Sequence, residues 1–443
     1  MNKKWKQRLH LEPPTGWLND PNGLCWFKNK YHVYFQYAPD DINGGVKKCW
    51  GHYESADMLS WDFTGTVLFP DIPADASGAY SGSAIVVGDE LNIFYTGNVK
   101  HPGNYDYIYN GREANVIRVT TKDGHNMSEK QVVLRNSDYP DFCSCHVRDP
   151  KVWKSGGIYY MVLGARTLDS TGCALIYQSK DLTNWKYTQC ISVPDSGYMW
   201  ECPDFFELDG NSYMSVSLQG MPHGETEHQN LFSSGYFRKG SSLSDYTEWD
   251  YGFDFYAPQT FGAPDGRRIL IGWMGMCDEY HNPPEELGWQ HCLTLPRELT
   301  RAEDGTIIQQ PVREIESLHS SSINLSDGVD SITHLPFELS AAVAKPFELR
   351  LDSLTMKYDG EIFSIAFDEN TGYGRDIRRA RVKSCRDVRI IADMSSLEIY
   401  LDGGRYVMST RFYPTGEDVI LKLNGIKAQM YRLKGMEMNI NGK

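Results

Sequence analysis

The 443-residue chain is 41% hydrophobic and 23% charged, with a mean hydropathy of −0.47, a composition that predicts a folded globular protein and excludes a disordered one. No apolar run reaches the ~18 residues that a membrane-spanning helix needs. A net charge of −14 and a pI near 5.4, with no Lys/Arg-rich block, exclude nucleic acid as a partner.

The chain starts Met1-Asn-Lys-Lys-Trp-Lys6, positive but without the apolar stretch of a signal peptide, so a cytoplasmic location is expected. Ten cysteines with no paired framework fit reduced thiols. Cys143-Ser-Cys-His146 has no second half at metal-ligand spacing, so no metal is expected there. Next comes Gly16-Trp-Leu-Asn-Asp20-Pro-Asn-Gly23. Pro21 pre-sets one backbone angle and Asn22-Gly23 signals a turn, which predicts Asp20 held at a fixed angle at the end of a strand.

From Gly23 onward short alternating strands dominate, helical periodicity is nearly absent, and one unit recurs. It consists of a polar anchor, a strand, a turn, an aromatic-rich strand and a Ser-x-Asp-x-x-x-Trp corner. Corners stand at Ser55-x-Asp57-x-x-x-Trp61 and Ser179-x-Asp181-x-x-x-Trp185, with variants at Thr121-Lys-Asp123-Gly and Leu243-Ser-Asp245-x-x-x-Trp249. Five such units predict a five-bladed β-propeller, because one small sheet buries both faces only when neighbours stack around an axis. After Leu299 the alternation becomes more regular, through Glu348-Leu-Arg-Leu, Phe363-Ser-Ile-Ala-Phe and Leu397-Glu-Ile-Tyr-Leu, with hairpin turns at Asp359-Gly360 and Asp402-Gly403. The expected architecture is therefore all-β: a propeller over residues 1–300 followed by a β-sandwich over 301–443.

In a propeller the first strand of each blade lines the central channel, so Asp20, Asp149 and Glu201 are expected to converge at one end of it. Two carboxylates facing across a sugar can hydrolyse a glycoside; their separation, which decides retention or inversion, is not legible in sequence. Glu201 lies in the apolar run Tyr198-Met-Trp-Glu-Cys-Pro203, which suggests a proton donor. Asp20 lies between Asn19 and Asn22, which suits an ionised nucleophile, and Arg148 is expected to keep Asp149 ionised.

The motifs Trp17-Leu-Asn-Asp-Pro-Asn-Gly23, Trp50-Gly-His52, Tyr80-Ser-Gly-Ser-Ala84, Arg148-Asp-Pro150 and Glu201-Cys-Pro-Asp204, in this order, resemble glycoside hydrolase family 32, the invertase, sucrose-6-phosphate hydrolase and fructanase group. The resemblance extends through Asp393-Met-Ser-Ser-Leu-Glu-Ile-Tyr400 and Tyr413-Pro414. It implies a retaining β-fructofuranosidase that needs no cofactor and works through a covalent fructosyl-enzyme, with Asp20 the nucleophile, Glu201 the acid/base and Asp149 the transition-state stabiliser. It also implies sugar contacts from Asn19, Gln36, Trp50, Ser81, Arg148 and Trp273, with Trp17 and Tyr80 in the pocket wall. The stretches Tyr95–Lys100, Tyr105–Tyr107 and Gly111–Asn115 look most like intracellular sucrose-6-phosphate hydrolases. Sucrose 6-phosphate or sucrose is thus the expected substrate, with fructo-oligosaccharides as the alternative. A phosphate needs a cation at the rim, for which Lys47, Lys48, Lys100 and Arg112 are candidates.

Overall fold

The computed structural model describes residues 4–45, 47–238, 245–277, 280–368 and 371–440. Five antiparallel sheets follow one another along residues 16–68, 78–134, 143–191, 199–248 and 256–311, and form blades one to five. Their innermost strands are Gly16–Phe27, Gly78–Val87, Cys143–Ser155, Met199–Leu208 and Tyr256–Gly262.

Middle strands such as Ile158–Thr167, Gly172–Ser179 and Arg268–Met274 are nearly continuous apolar runs with both faces buried, because each blade packs on two neighbours. Trp50 and Tyr34 of blade one meet Ile93, Tyr95 and Ile117 of blade two. Phe94 and Val116 meet Met161 and Leu163 of blade three. Val162 and Ile176 meet Met214 and Val216 of blade four, and Tyr213 and Trp249 meet Phe255 and Leu270 of blade five. The ring closes where Ile269 and Ile271 of blade five pack with Val33, Phe35 and Trp61 of blade one. Gly16 and Trp17 also pair in parallel with Trp289 and Gln290, which ties the first strand to the end of the propeller.

The recurring corners share one hydrogen-bond pattern. In blade one, Ser55 Oγ accepts from the amides of Asp57 and Met58, Asp57 Oδ1 accepts from Leu59 and Ser60, and Trp61 Nε1 donates to Met58 O at 3.0 Å. Blade three repeats it with Ser179, Asp181 and Trp185. In blade two Thr121 and Asp123 make the same amide contacts without the tryptophan. The residue after the aspartate has positive φ in all three: Met58 at 62°, Leu182 at 67° and Gly124 at 88°. Leu243 and Ser244 of the fourth corner lie outside the described residues. Its Trp249 points inward instead and donates to Ser215 Oγ at 2.9 Å.

Two expectations are corrected. Asp20-Pro-Asn-Gly23 is not a turn at a strand end but the interior of Gly16–Phe27, where register shifts fall between Leu18 and Pro21 and between Asn22 and Cys25. The residues that signal a turn here make bulges, and Asn22 Oδ1 accepts from Gly82 N of the next blade at 3.0 Å. Residue 300 is also no break in the pairing, because Arg297–Arg301 forms a hairpin with Ile307–Pro311 inside blade five.

Beyond the propeller, two six-stranded sheets pack face to face around Leu339, Leu349, Ile365, Leu397, Ile399 and Leu421. Both expected hairpins are present, at Asp359-Gly360 and Asp402–Gly404. The chain then returns, and Glu437–Asn439 pairs with Ser60–Asp62 on the outer edge of blade one.

The seam between sandwich and propeller is charged and dry. His10 lies 2.8 Å from Asp393 Oδ2 and 3.1 Å from Glu398 Oε1, while Arg297 donates to Glu398 and Asp250 and Arg375 donates twice to Asp254. Burial alone would lower the His10 pKa, but the bonds and charges of Asp393 and Glu398 outweigh it and raise it to about 9. Glu398, despite burial, is pulled to about 2 by Arg297 and His10.

Candidate active site

Every blade carries a register shift near the N-terminal end of its innermost strand. The bulged residues are Asn19-Asp20, Tyr80-Ser81, Asp149-Pro150, Cys202-Pro203 and Ala257-Pro258. Three of these pairs contain proline, which has no N–H and sits at a bulge without loss of a ladder bond. Asp149, Cys202 and Ala257 stand at φ of 63°, 47° and 49°, a strained region for side-chain-bearing residues. A bulge bends its strand and re-aims the side chains there. Asn19, Asp20, Tyr80 and Asp149 from three of the bulges, with Glu201 and Tyr256 just before the other two, line a single cavity of about 380 Å³, within the range of small-molecule sites.

Asp20 is held by donors. Asn19 Nδ2 donates to Oδ1 at 3.0 Å, Gln36 Nε2 to Oδ2 at 3.2 Å, and Ser81 Oγ to Oδ2. Glu201 receives Arg148 Nε at 2.9 Å and Nη2 at 2.6 Å on Oε1, and Gln219 Nε2 and the Tyr256 hydroxyl at 2.6 Å each on Oε2. Asp149 Oδ2 accepts from Cys202 N at 2.9 Å. Cys202 Sγ lies 3.7 Å from both Asp20 Oδ2 and Asp149 Oδ2, so a buried thiol separates the two aspartates.

Burial raises the pKa of Asp20 against the pull of Ser81 and Asn19, and the charge of Glu201 adds to the rise. Burial also lifts Asp149, to about 7, with Arg148 opposing and Glu201 and Asp20 reinforcing. Glu201, although buried, lies below the ordinary range because Arg148, Tyr256 and Gln219 hold it as an anion. Three acids close together in a buried pocket cannot all ionise freely, so near neutral pH the group retains a proton shared among its members.

These contacts correct two sequence inferences. Glu201 does not sit in an apolar environment, and Arg148 bonds Glu201 rather than its neighbour Asp149. Both inferences took sequence neighbours for spatial ones, but successive residues of a strand point to opposite faces. The apolar Trp200 beside Glu201 faces the blade interior, where its Nε1 donates to Ser196 O at 3.0 Å.

Trp17, Asn19, Asp20, Gln36, Tyr80, Arg148, Asp149, Glu201 and Trp273 all line the cavity. Trp50 and Ser81 stand behind its wall, both fully buried. Trp50 Nε1 donates to Tyr80 O, and Ser81 Oγ supports Asp20. Among the cation candidates, Lys48 and Arg112 line the cavity, whereas Lys47 and Lys100 are exposed outside it. Sequence reasoning missed Gln219 and Tyr256. Tyr256 was findable, because it precedes Ala257-Pro258 as Arg148 precedes Asp149-Pro150 and Glu201 precedes Cys202-Pro203. A larger cavity of about 690 Å³ occupies the other end of the channel, but Glu207 is the single carboxylate in its lining, so size does not select the site.

Comparison with known proteins fits this arrangement. The model of the glycosyl hydrolases family 32 N-terminal domain matches residues 10–311, and that of the family's C-terminal domain matches residues 312–430. The sucrose-6-phosphate hydrolase of Bacillus subtilis is 36% identical over 445 residues, which cover 92% of this chain and 89% of that protein. A β-fructofuranosidase from Bombyx mori superposes with a TM-score of 0.87 at 30% identity, covering 98% of this chain and 95% of that one. A sucrose-6-phosphate hydrolase structure from Lactobacillus gasseri gives 0.86 at 26% identity, over 98% and 94%. With its five-bladed propeller, its sandwich and its acid-lined channel mouth, this chain belongs to glycosyl hydrolase family 32.

Proposed function

We propose that the protein hydrolyses terminal β-D-fructofuranosides with retention and that its preferred substrate is sucrose 6-phosphate. Asp20 attacks the anomeric carbon of the fructosyl unit, and the bond to the aglycone oxygen breaks. Its electron pair stays on that oxygen, which takes the proton of Glu201. Glu201 then removes a proton from water, the resulting hydroxide attacks the same carbon, and Asp20 leaves as carboxylate. Asp149 holds fructosyl hydroxyls and the positive charge that develops on the ring. Arg148, Tyr256 and Gln219 favour the Glu201 anion before substrate binds, so the first step requires the proton retained by the three acids to pass to Glu201. The catalytic unit is the propeller through Pro311 and the sandwich follows it. A cytoplasmic location suits a phosphorylated substrate; no helix among the described residues is long and apolar enough to cross a membrane.

The observation that carries the substrate reading is Arg112. His146 Nδ1 accepts from Arg148 Nη1 at 2.7 Å and its Nε2 lies 3.0 Å from Tyr107 O, so the ring proton sits on Nε2. Arg112 Nη1, 3.1 Å from that same Nε2, therefore faces an N–H, and Arg112 Nε is buried without a partner. His146 stays neutral, pushed to about 3 by burial and by the two arginines. Arg112 is thus a cavity-lining guanidinium with no carboxylate partner among the described residues. It is linked through His146 and Arg148 to Glu201, the side on which the aglycone departs. A phosphate on that aglycone would satisfy it.

The test is kcat/KM on sucrose 6-phosphate, sucrose and inulin oligosaccharides for the parent and for Arg112→Ala. A charge-assisted bond worth about 1.5–3 kcal/mol predicts a loss of roughly tenfold to a hundredfold on the phosphorylated sugar and little change on sucrose. Equal losses on both would reduce Arg112 to a prop for Arg148. A parent that prefers inulin would transfer the reading to fructans.

A further inference from the structure

The motif Trp50-Gly51-His52 contributes only its tryptophan to the pocket wall. His52 points into the seam between blades one and two, where it meets a second histidine and a glutamate. On adjacent strands of blade one His32 is paired directly with Glu54, and His52 lies two residues before Glu54 on the same face. The donor atoms of the three side chains all fall within 4.8 Å of one another, and all three residues are buried. A fourth group, His125, reaches in from the corner of blade two, with Nε2 3.2 Å from Glu54 Oε2 and its ring centroid 5.2 Å from that of His52.

We propose that His32, His52 and Glu54 form a binding site for a zinc-class divalent cation, with His125 as fourth donor, so that the ion ties blade one to blade two. The outer contacts of the ligands suit this. His32 Nε2 donates to Phe27 O at 3.0 Å, which fixes its tautomer and leaves the Nδ1 lone pair facing the site. His52 Nδ1 lies 2.7 Å from Thr64 Oγ1, which accepts a proton from that nitrogen once Nε2 is given to a metal. Without an ion, His52 Nε2–H donates to His32 Nδ1 at 2.9 Å. Binding therefore shifts the His52 proton from Nε2 to Nδ1, with no change in net charge. The two nitrogens must also part by a few tenths of an ångström to reach the spacing of a tetrahedral site.

Charge and shape agree with the donor set. Glu54 is oriented by Lys30 Nζ, 2.5 Å from Oε1, which leaves Oε2 for the site. The corner of blade two approaches through Gly124. A Cβ there would fall 2.7 Å from His32 Cε1 and 2.9 Å from Nδ1, so a side chain would occupy the space beside the ligand atom. Two or three imidazoles with one carboxylate suit zinc and its neighbours rather than calcium or magnesium, which take oxygen donors.

The test uses the full-length protein stripped with chelator and titrated calorimetrically with zinc chloride, with metal content measured after gel filtration. One ion per chain and a rise in melting temperature on zinc addition are expected. Cobalt loading should give visible d–d bands without a thiolate charge-transfer band, since no cysteine is among the donors. Glu54→Gln keeps the size and the Lys30 contact and should weaken zinc binding by roughly a hundredfold, while His125→Ala, at a partly exposed corner, should weaken it by about tenfold. Failure of the parent to retain zinc, a thiolate band, unchanged affinity in Glu54→Gln, or equal affinity for calcium would each overturn the site. None of these readouts depends on which fructoside the enzyme cleaves.

Discussion

At the seam between propeller and sandwich, His10, Arg297 and Arg375 meet Asp393, Glu398, Asp250 and Asp254, every side chain buried and bonded to an opposite charge. At the channel mouth Asp20, Asp149 and Glu201 stand close together, and Arg148 bonds only one of them, giving Nε and Nη2 to Glu201 and Nη1 to His146. The first arrangement moves the acid and base pKa values apart, Glu398 to about 2 and His10 to about 9, so both ends stay charged. The second pushes two carboxylates upward and leaves them competing for a proton. Buried charge with partners locks two domains in register, whereas buried charge without them stores chemical potential for a reaction.

The largest effect that separates the regions is Asp20→Asn. It removes the proposed attacking carboxylate and, with one acceptor oxygen in place of two, keeps either the contact of Asn19 or those of Gln36 and Ser81, so turnover should fall on the order of ten-thousandfold while the protein stays folded. A steady-state rate above about a tenth of the parent's would take the nucleophile role from Asp20.

Glu398→Gln tests the other side. Loss of one charge leaves Arg297 and His10 in a dry seam, and breaking such a pair costs about 3–5 kcal/mol, read by denaturant unfolding. The rate per folded molecule should not change, since Glu398 touches no pocket residue. His10→Gln adds a pH signature. The folded pKa of His10 is raised above its unfolded value, so its contribution is fully present below about pH 6.5 and is lost as pH rises towards 9. The stability gap between His10→Gln and the parent should therefore shrink from pH 6 to pH 9. A gap independent of pH would mean that packing, not charge, holds this seam.

Sequence revealed the two regions unequally. The corners at Ser55, Thr121 and Ser179 encode local amide contacts within a few residues, so the repeat and the propeller are legible. Asp20, Asp149 and Glu201 are legible as a group, because the repeat places them on inner strands. Their surroundings are not. The donors to Glu201 come from Arg148, Gln219 and Tyr256 in three different blades, and no neighbour in the chain reports them. The bulges were half visible, since Asp149-Pro150, Cys202-Pro203 and Ala257-Pro258 share a spacing, but Asp20-Pro21-Asn22-Gly23 read as a turn. Nothing in sequence announced the seam, whose pairs join residues such as His10 and Glu398 across nearly the whole chain.

The pocket has a pH signature of its own. Asp149 is an acid whose folded pKa, about 7, lies above its unfolded value. Between roughly pH 4 and 7 the unfolded chain has released this proton and the folded chain has not, so stability drawn from this residue falls as pH rises through that window. Asp149→Asn removes the titration, and its amide oxygen can still accept from Cys202 N. The variant should therefore gain on the parent as pH climbs from 4 to 7 and keep a constant margin above it. The gain has the same sign as at His10→Gln, because both folded pKa values are raised, but it falls in a lower window, since His10 loses its contribution only between about pH 6.5 and 9. Melting temperatures of both variants against the parent from pH 4 to 9 separate the two windows. A gain of Asp149→Asn confined to pH above 7, or none at all, would mean that the pocket does not hold this proton against the repulsion of its acids.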